Sequence, residues 1–199
     1  MLKKELIWRE ILFQALEERK FEFTQKELAE KFGFSLSTIF NALQVLRDTG
    51  AIRVTGRNFS VVDAEKILYI WATQRRLKRE IIYETYVPES AAAIEGRMPA
   101  GVIFGGFSAY ALKYDDAPAD YASVYVYADG EQLKEIKKRF PKAKGEAKLF
   151  VLERDALLKN FGSTTPDVQT FVDLWNLRDW QAKDYLAALK NKMFPYAIL

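Results

Sequence analysis

The spacing of apolar residues predicts three helices at the start of the chain. In residues 3–19, leucine, isoleucine and alanine recur every three or four positions, which is typical of one buried helix face. Thr24 and Glu27 form a capping-box pattern for a second helix, which ends at Gly33. A third helix follows and stops at Gly50, and we expect one apolar face on it made of Leu36, Ile39, Phe40, Leu43 and Leu46.

The third helix and the segment after it predict a winged helix-turn-helix. Ser35 or Ser37 can cap the helix, since both follow the turn at Gly33-Phe34. Residues 51–54 and 59–62 are strand-like, and Thr55-Gly56-Arg57-Asn58 joins them as a turn. Such a hairpin beside a helix-turn-helix is the wing of that fold.

The polar residues of this segment match the chemistry of duplex DNA. A helix fits the major groove, where Asn and Gln pair with adenine and Ser and Thr pair with several base edges. An arginine in a wing enters the minor groove or contacts phosphate. The alternative is a solvated face without a ligand, or a winged helix that binds only protein. The predicted DNA-binding residues are Ser35, Ser37, Thr38, Asn41, Gln44, Arg47, Arg57 and Asn58.

The next helix carries apolar residues on nearly all its sides. It is predicted from Ala64 to about Lys78, with Asp63 as its cap. A helix of this kind must be covered by the core of its own domain, by a second domain or by a second copy of the chain. The basic residues at its end suit the helix dipole, a phosphate or a partner's carboxylates, or are simply solvated.

The second half of the chain alternates short helices and strands. The strand-like segment 81–87 precedes Pro88-Glu89-Ser90, which we take as the boundary between the two domains. The predicted fold class is therefore α+β. Residues 1–87 form a winged helix-turn-helix domain with an extended helix, and residues 88–199 form a small α+β domain with a mixed or antiparallel sheet, for which a degenerate nucleotidyltransferase-like arrangement is one option.

Composition removes several classes of function. The chain contains no His and no Cys, which excludes disulfides, thiolate metal sites and histidine-based catalysis. No apolar run is long enough to cross a membrane, so we expect a soluble, cytoplasmic protein. Up to Val87 there are 15 Lys and Arg against 12 Asp and Glu, whereas the rest of the chain is balanced, so the excess positive charge of +3 lies with the helix-turn-helix.

The C-terminal half resembles that of the AbiEi family of antitoxins. The resemblance rests on GVIFGGFSAYALKY, DYASVYVYAD and above all VQTFVDLWN at 168–176, and that family also begins with a winged helix. It implies a transcriptional autorepressor of the type IV toxin-antitoxin kind, which binds inverted repeats upstream of its own operon. A cognate toxin protein is a possible partner, and we expect the winged helix to bind DNA as a homodimer or as two copies on a repeat. From the residues themselves we expect no enzyme activity, no cofactor, no metal and no membrane partner.

An enzyme and a protein adaptor are the alternatives. Gly105-Gly106 followed by Ser108 is similar to the triphosphate-binding turn of a Mg²⁺-dependent nucleotidyltransferase, but Asp120 and Asp129 flank the next strand instead of forming a pair on it. A nuclease hypothesis rests on Glu146-Ala147-Lys148, a tripeptide that is common by chance. We expect Asp173 to have a structural role, as a half-buried cap or in an ion pair with Arg178. The sequence therefore favours a DNA-binding regulator.

Overall fold

The computed structural model describes residues 1–195 and divides the chain into two compact units. The first unit is Met1–Arg75 and the second is Arg76–Leu199. The first unit contains four helices and three strands in its described residues: α1 (Lys3–Leu16), β1 (Glu22–Thr24), α2 (Gln25–Phe32), α3 (Leu36–Asp48), β2 (Ile52–Thr55), β3 (Asn58–Val61) and α4 (Ala64–Gln74).

Helix α1 is the centre of the first unit, because both α3 and α4 pack on it. The Trp8 side chain is fully buried, and its indole Nε1 donates a hydrogen bond of 2.8 Å to the carbonyl of Ala42 on α3. That bond links α3 directly to α1. The apolar residues Ile67, Leu68 and Trp71 of α4 are also fully buried. The apolar helix is thus covered by the core of its own unit.

A buried ion pair links the end of α4 to α1. The Glu5 carboxylate accepts a hydrogen bond of 3.3 Å from the indole of Trp71 and lies 3.7 Å from the Arg75 guanidinium, which has no exposed surface. Arg75 is the residue at which α4 ends, whereas the sequence predicted a helix to about Lys78. Arg75 therefore belongs to the core, and only the basic residues after it remain in solvent.

The wing belongs to a three-stranded antiparallel sheet with the order β1-β3-β2. The hairpin of β2 and β3 confirms the predicted wing. The strand β1 was missed, because it is only three residues long and is defined by its pairing with β3. It leads directly into α2, so it ties the start of the helix-turn-helix to the wing.

The second unit is an α+β domain, as predicted. Its sheet has the order β4-β7-β6-β5, in which β6 and β7 are parallel and the two outer pairs are antiparallel. Its elements are β4 (Ile81–Thr85), α5 (Ala91–Gly96), β5 (Ile103–Gly105), α6 (Gly106–Tyr114), β6 (Val124–Ala128), α7 (Gly130–Arg139), β7 (Leu149–Glu153), α8 (Asp167–Trp175) and α9 (Ala182–Met193), with 3₁₀ turns at Leu77–Glu80 and Leu158–Phe161.

The position of β4 moves the boundary between the units. Residues 81–87 were assigned to the first domain, but β4 pairs with β7 and is an outer strand of the second sheet. Its partner lies far along the chain, so the sequence near the boundary gives no sign of it. The division lies after Arg75 instead of after Val87.

The two faces of the second sheet differ in chemistry. Successive side chains of a strand point to opposite faces. On β6, Val124 and Val126 join the apolar core that also contains Ile94 of α5 and Ile136 of α7. The residues between them are tyrosines, and Tyr125 stacks on Phe150 of β7 with ring centroids 4.6 Å apart. The valine side of β6 therefore faces a mainly aliphatic core, and its tyrosine side is aromatic.

Candidate DNA interface

Local hydrogen bonds fix the two helices of the helix-turn-helix. The Thr24 hydroxyl accepts the N–H of Glu27 at 3.0 Å and caps α2. Gly33 ends α2 with φ of 62°, a left-handed conformation that glycine adopts without a steric cost. The Ser35 hydroxyl accepts the N–H of Thr38 at 3.3 Å, so Ser35 is the cap of α3. These bonds confirm the predicted capping residues.

Hydroxyl groups cluster at the start of α3. The Ser35 Oγ lies 2.9 Å from the hydroxyls of both Ser37 and Thr38. Ser37 is exposed and Thr38 is half-buried. A helix N-terminus with exposed hydroxyls favours an anion such as a phosphate, because its N–H groups and dipole are positive there.

The exposed face of α3 carries the predicted base-contacting amides. Ser37, Asn41 and Gln44 are all exposed, and their spacing of four and three places them on one side of the helix. On the opposite side, the helix is buried through Ile39, Ala42, Leu43 and Leu46. The amide-bearing face is therefore held outward by the packing of α3 on α1.

Two predicted core residues of α3 are exposed instead. Leu36 is 55% exposed and Phe40 is 43% exposed. The buried stripe is centred between Ile39 and Leu46 and takes in Ala42, so Leu36 and Phe40 fall at its edge. The expectation that they belong to the apolar face was wrong. They lie instead beside Ser37, Asn41 and Gln44.

Arg47 lies over one of these apolar side chains. Its guanidinium carbon is 4.9 Å from the centre of the Phe40 ring, in cation–π geometry. Its Nε is buried and has no hydrogen-bond partner among the described residues. Arg47, which was predicted to face DNA, is thus half-buried and oriented by Phe40.

The wing turn is tighter than predicted. Thr55 and Asn58 pair across the strands, so only Gly56 and Arg57 form the loop, and Gly56 has φ of 59°. Arg57 and Asn58 are exposed at this tip. Arg53 is exposed on β2 and was missed, although its place in an alternating strand marks it as outward-facing. Neither arginine has an ion-pair partner among the described residues.

Two carboxylates of the second unit that the sequence analysis considered have protein partners. Asp129 caps α7 and pairs with Arg154. Asp173 is buried and accepts a hydrogen bond of 2.6 Å from the Tyr127 hydroxyl, which is a structural role. In residues 1–195 no group of three or more His, Cys, Asp or Glu side chains is placed to hold a metal ion. Neither the nucleotidyltransferase nor the nuclease hypothesis gains support.

The paired glycines fit around the aromatic face of the sheet. A Cβ on Gly105 would lie 3.0 Å from Cε2 of Tyr127, and one on Gly106 would lie 3.5 Å from Cδ2 of Tyr125. Gly106 also has φ of 55°. Close packing and a turn explain both glycines without a bound phosphate.

Comparison with known proteins identifies the first unit. A family model described as an HTH domain matches residues 8–58, the segment from α1 to the tip of the wing. The N-terminal unit is a helix-turn-helix DNA-binding domain of the kind found in transcription regulators. No curated protein and no solved structure matches the chain. None of the helices in residues 1–195 combines the length and the apolar character needed to span a bilayer.

Proposed function

We propose that this protein is a sequence-specific double-stranded DNA-binding regulator that represses its own operon, as an antitoxin of the AbiEi type does. The observation that carries the proposal is the exposed face of α3, where Ser37, Asn41 and Gln44 follow a capped N-terminus. The resemblance of the second half to AbiEi proteins supports the autorepressor role. A homodimer on an inverted repeat would place two copies of α3 in successive major grooves.

In this proposal α3 reads the bases. Asn41 and Gln44 each present an amide that pairs bidentately with adenine. The exposed Leu36 and Phe40 supply apolar contacts for the methyl group of thymine. No lysine lies on α3, and Arg47 is turned onto Phe40. The recognition helix is therefore suited to A·T pairs.

The wing and the start of α3 position the domain. Arg53 and Arg57 are exposed cations for phosphate or the minor groove, and Asn58 is a neutral donor beside them. Ser35 and its neighbouring hydroxyls bind phosphate at the helix N-terminus. If about four to six phosphates are contacted, the logarithm of the affinity should fall against the logarithm of the salt concentration with a slope of roughly −4 to −5.

Fluorescence anisotropy on the gene's own upstream region tests the proposal. A labelled fragment is titrated at two salt concentrations against a shuffled duplex of equal length. We expect a preference of about tenfold or more for the native fragment, with both affinities reduced by salt. Equal affinity for both duplexes would refute sequence-specific autorepression.

Variants then test the role of the amides. Asn41→Ala or Gln44→Ala should weaken binding to the native fragment by about 1 to 3 kcal/mol and leave the shuffled duplex nearly unaffected. Asn160→Ala is the matched control, because this exposed amide lies in the second unit. Equal losses on both duplexes would mean that Asn41 and Gln44 contact only the DNA backbone.

A further inference from the structure

A pocket of about 280 Å³ opens on the aromatic face of the second sheet. Its floor is the stacked pair of Tyr125 and Phe150, whose rings are nearly parallel at 8°. Leu77, Ile81 and Leu177 add apolar walls. The volume lies just below the usual range for sites of drug-sized ligands, so the pocket suits a small metabolite.

The Tyr125 hydroxyl has no hydrogen-bond partner among residues 1–195, although only 7% of Tyr125 is exposed. The other buried tyrosines of this unit donate their hydroxyls: Tyr110 to Asp116, Tyr127 to Asp173 and Tyr185 to the carbonyl of Ala119. Buried polar groups are nearly always paired. The Tyr125 hydroxyl, on a residue that lines the pocket, is therefore a group for a ligand to bind.

Charged side chains of both signs surround this floor. Glu84, Glu146 and Asp179 contribute carboxylates, and Lys78 and Arg178 contribute cations. Within the described part of the chain, none of the five forms an ion pair. Burial raises the pKa of the Tyr125 hydroxyl, and the negative charges of Asp179 and Glu84 raise it further, so the phenol is a neutral donor beside two carboxylates.

We propose that this pocket binds a small zwitterion of the α-amino acid class with an apolar side chain. The apolar part rests on Tyr125 and Phe150, the ammonium group faces Glu84 and Asp179, and the carboxylate faces Lys78 or Arg178. A ligand with a single charge would pair only with the carboxylates or only with the cations around the pocket. The Tyr125 hydroxyl donates to the ligand and gains the partner that the protein does not provide.

Binding of L-leucine and L-phenylalanine to the full-length protein tests this site. Isothermal titration calorimetry and thermal shift are run without DNA, so the result does not depend on the proposed regulatory function. Each amino acid is compared with its amine, isoamylamine or phenethylamine, and with its acid, isocaproate or phenylpropionate. We expect saturable binding of at least one amino acid, about tenfold tighter than either analogue, because each analogue lacks one charge contact.

Pocket variants locate the binding site. Tyr125→Phe should weaken binding about three- to tenfold through the lost hydrogen bond. Glu84→Gln and Arg178→Gln should each weaken it about tenfold. Glu153→Gln and Lys138→Gln are matched controls, because these exposed residues do not line the pocket, and both should bind as the unmodified protein does.

Three results would overturn the proposal. One is the absence of saturable binding by either amino acid at roughly 10 mM, a concentration that would reveal even a millimolar site. Another is equal binding of a singly charged analogue, which would remove the argument for a zwitterion. The last is unchanged affinity in the pocket variants, which would place the ligand elsewhere. The three substitutions lie in β6, in β4 and in the loop after α8, so the test remains valid if one variant fails to fold.

Discussion

Replacement of Glu5 by Gln should destabilise the first unit strongly. Glu5 is 3% exposed, and its two oxygens serve different partners. Oε2 accepts the N–H of Leu2 at 2.8 Å, whereas Oε1 faces Trp71 and the buried guanidinium of Arg75. A glutamine has one acceptor oxygen and no charge, so it cannot accept from Leu2 and also face Trp71 and Arg75 with a negatively charged oxygen.

The size of the effect follows from the burial of Arg75. Removal of one partner from a buried ion pair costs about 3 to 5 kcal/mol, because the remaining charge is uncompensated. The 3.7 Å separation is longer than a hydrogen bond, and Arg75 has further interactions, so the loss should lie at or below the lower end of this range. We expect a decrease of about 2 to 3 kcal/mol in the free energy of unfolding.

Tryptophan fluorescence during urea unfolding measures this change. Trp8 and Trp71 are fully buried in the first unit, whereas Trp175 and Trp180 of the second unit are 43% and 68% exposed. The emission shift on unfolding therefore comes mainly from the first unit. Glu18→Gln is the matched control, because Glu18 is exposed near the end of α1 and should change stability little.

A double variant shows whether the charge is responsible. Arg75→Met in the Glu5→Gln background removes the buried cation that has lost the Glu5 carboxylate, so it should restore at least half of the lost stability. A loss below about 1 kcal/mol in Glu5→Gln, or a double variant as unstable as the sum of the two single variants, would refute the reasoning.

Four further outcomes are expected. Replacement of one contacted thymine by uracil should weaken DNA binding of the unmodified protein roughly fourfold, or about 0.8 kcal/mol, because the thymine methyl group is lost. The Phe40→Ala variant should bind both duplexes equally. If uracil weakens binding of both proteins to the same extent, Phe40 does not contact the methyl group. Arg57→Ala should weaken native and shuffled duplexes alike and flatten the salt slope by about one unit, whereas a loss confined to the native duplex would indicate base recognition. Gly105→Ala should lower the free energy of unfolding by about 1 to 3 kcal/mol through overpacking. Gly96→Ala is the control, because a Cβ at this position meets nothing within 4 Å. Equal stability of the two variants would contradict the packing argument. Burial raises the pKa of Tyr110 to about 12, so this tyrosine loses its proton at a lower pH in the unfolded chain than in the folded protein. Its contribution to stability should therefore be lost as the pH rises from about 10 through about 12. Over this range the Tm of Tyr110→Phe should fall less steeply than that of the unmodified protein, and an identical fall would exclude the effect.

Local signals in the sequence were sufficient for the helix-turn-helix. Thr24 and Ser35 cap their helices through bonds to residues three positions away, and Gly33 ends α2 with its left-handed backbone. Because these effects are local, the identity of each residue is enough to mark a helix end. The alternation after Gly50 marks the wing for the same reason. The alternation of helices and strands in the second half was also predicted, because each element is short and bounded by turn residues.

Features that depend on distant partners were not predictable. The pairing of β4 with β7 sets the boundary between the units, and no residue near the boundary encodes it. The exposure of Leu36 and Phe40 depends on where α1 contacts α3. The unpartnered Tyr125 hydroxyl becomes visible only when the surroundings of the other tyrosines are known.

The contact between Gly105 and Tyr127 predicts a pattern of evolutionary change. A side chain at 105 needs the space that the Tyr127 ring occupies, so in related sequences a larger residue at 105 should coincide with a smaller one at 127. Loss of the tyrosine would in turn remove the hydrogen bond that Asp173 accepts from its hydroxyl. Gly106 should stay glycine throughout, because its positive φ is a property of the backbone and not of its neighbours.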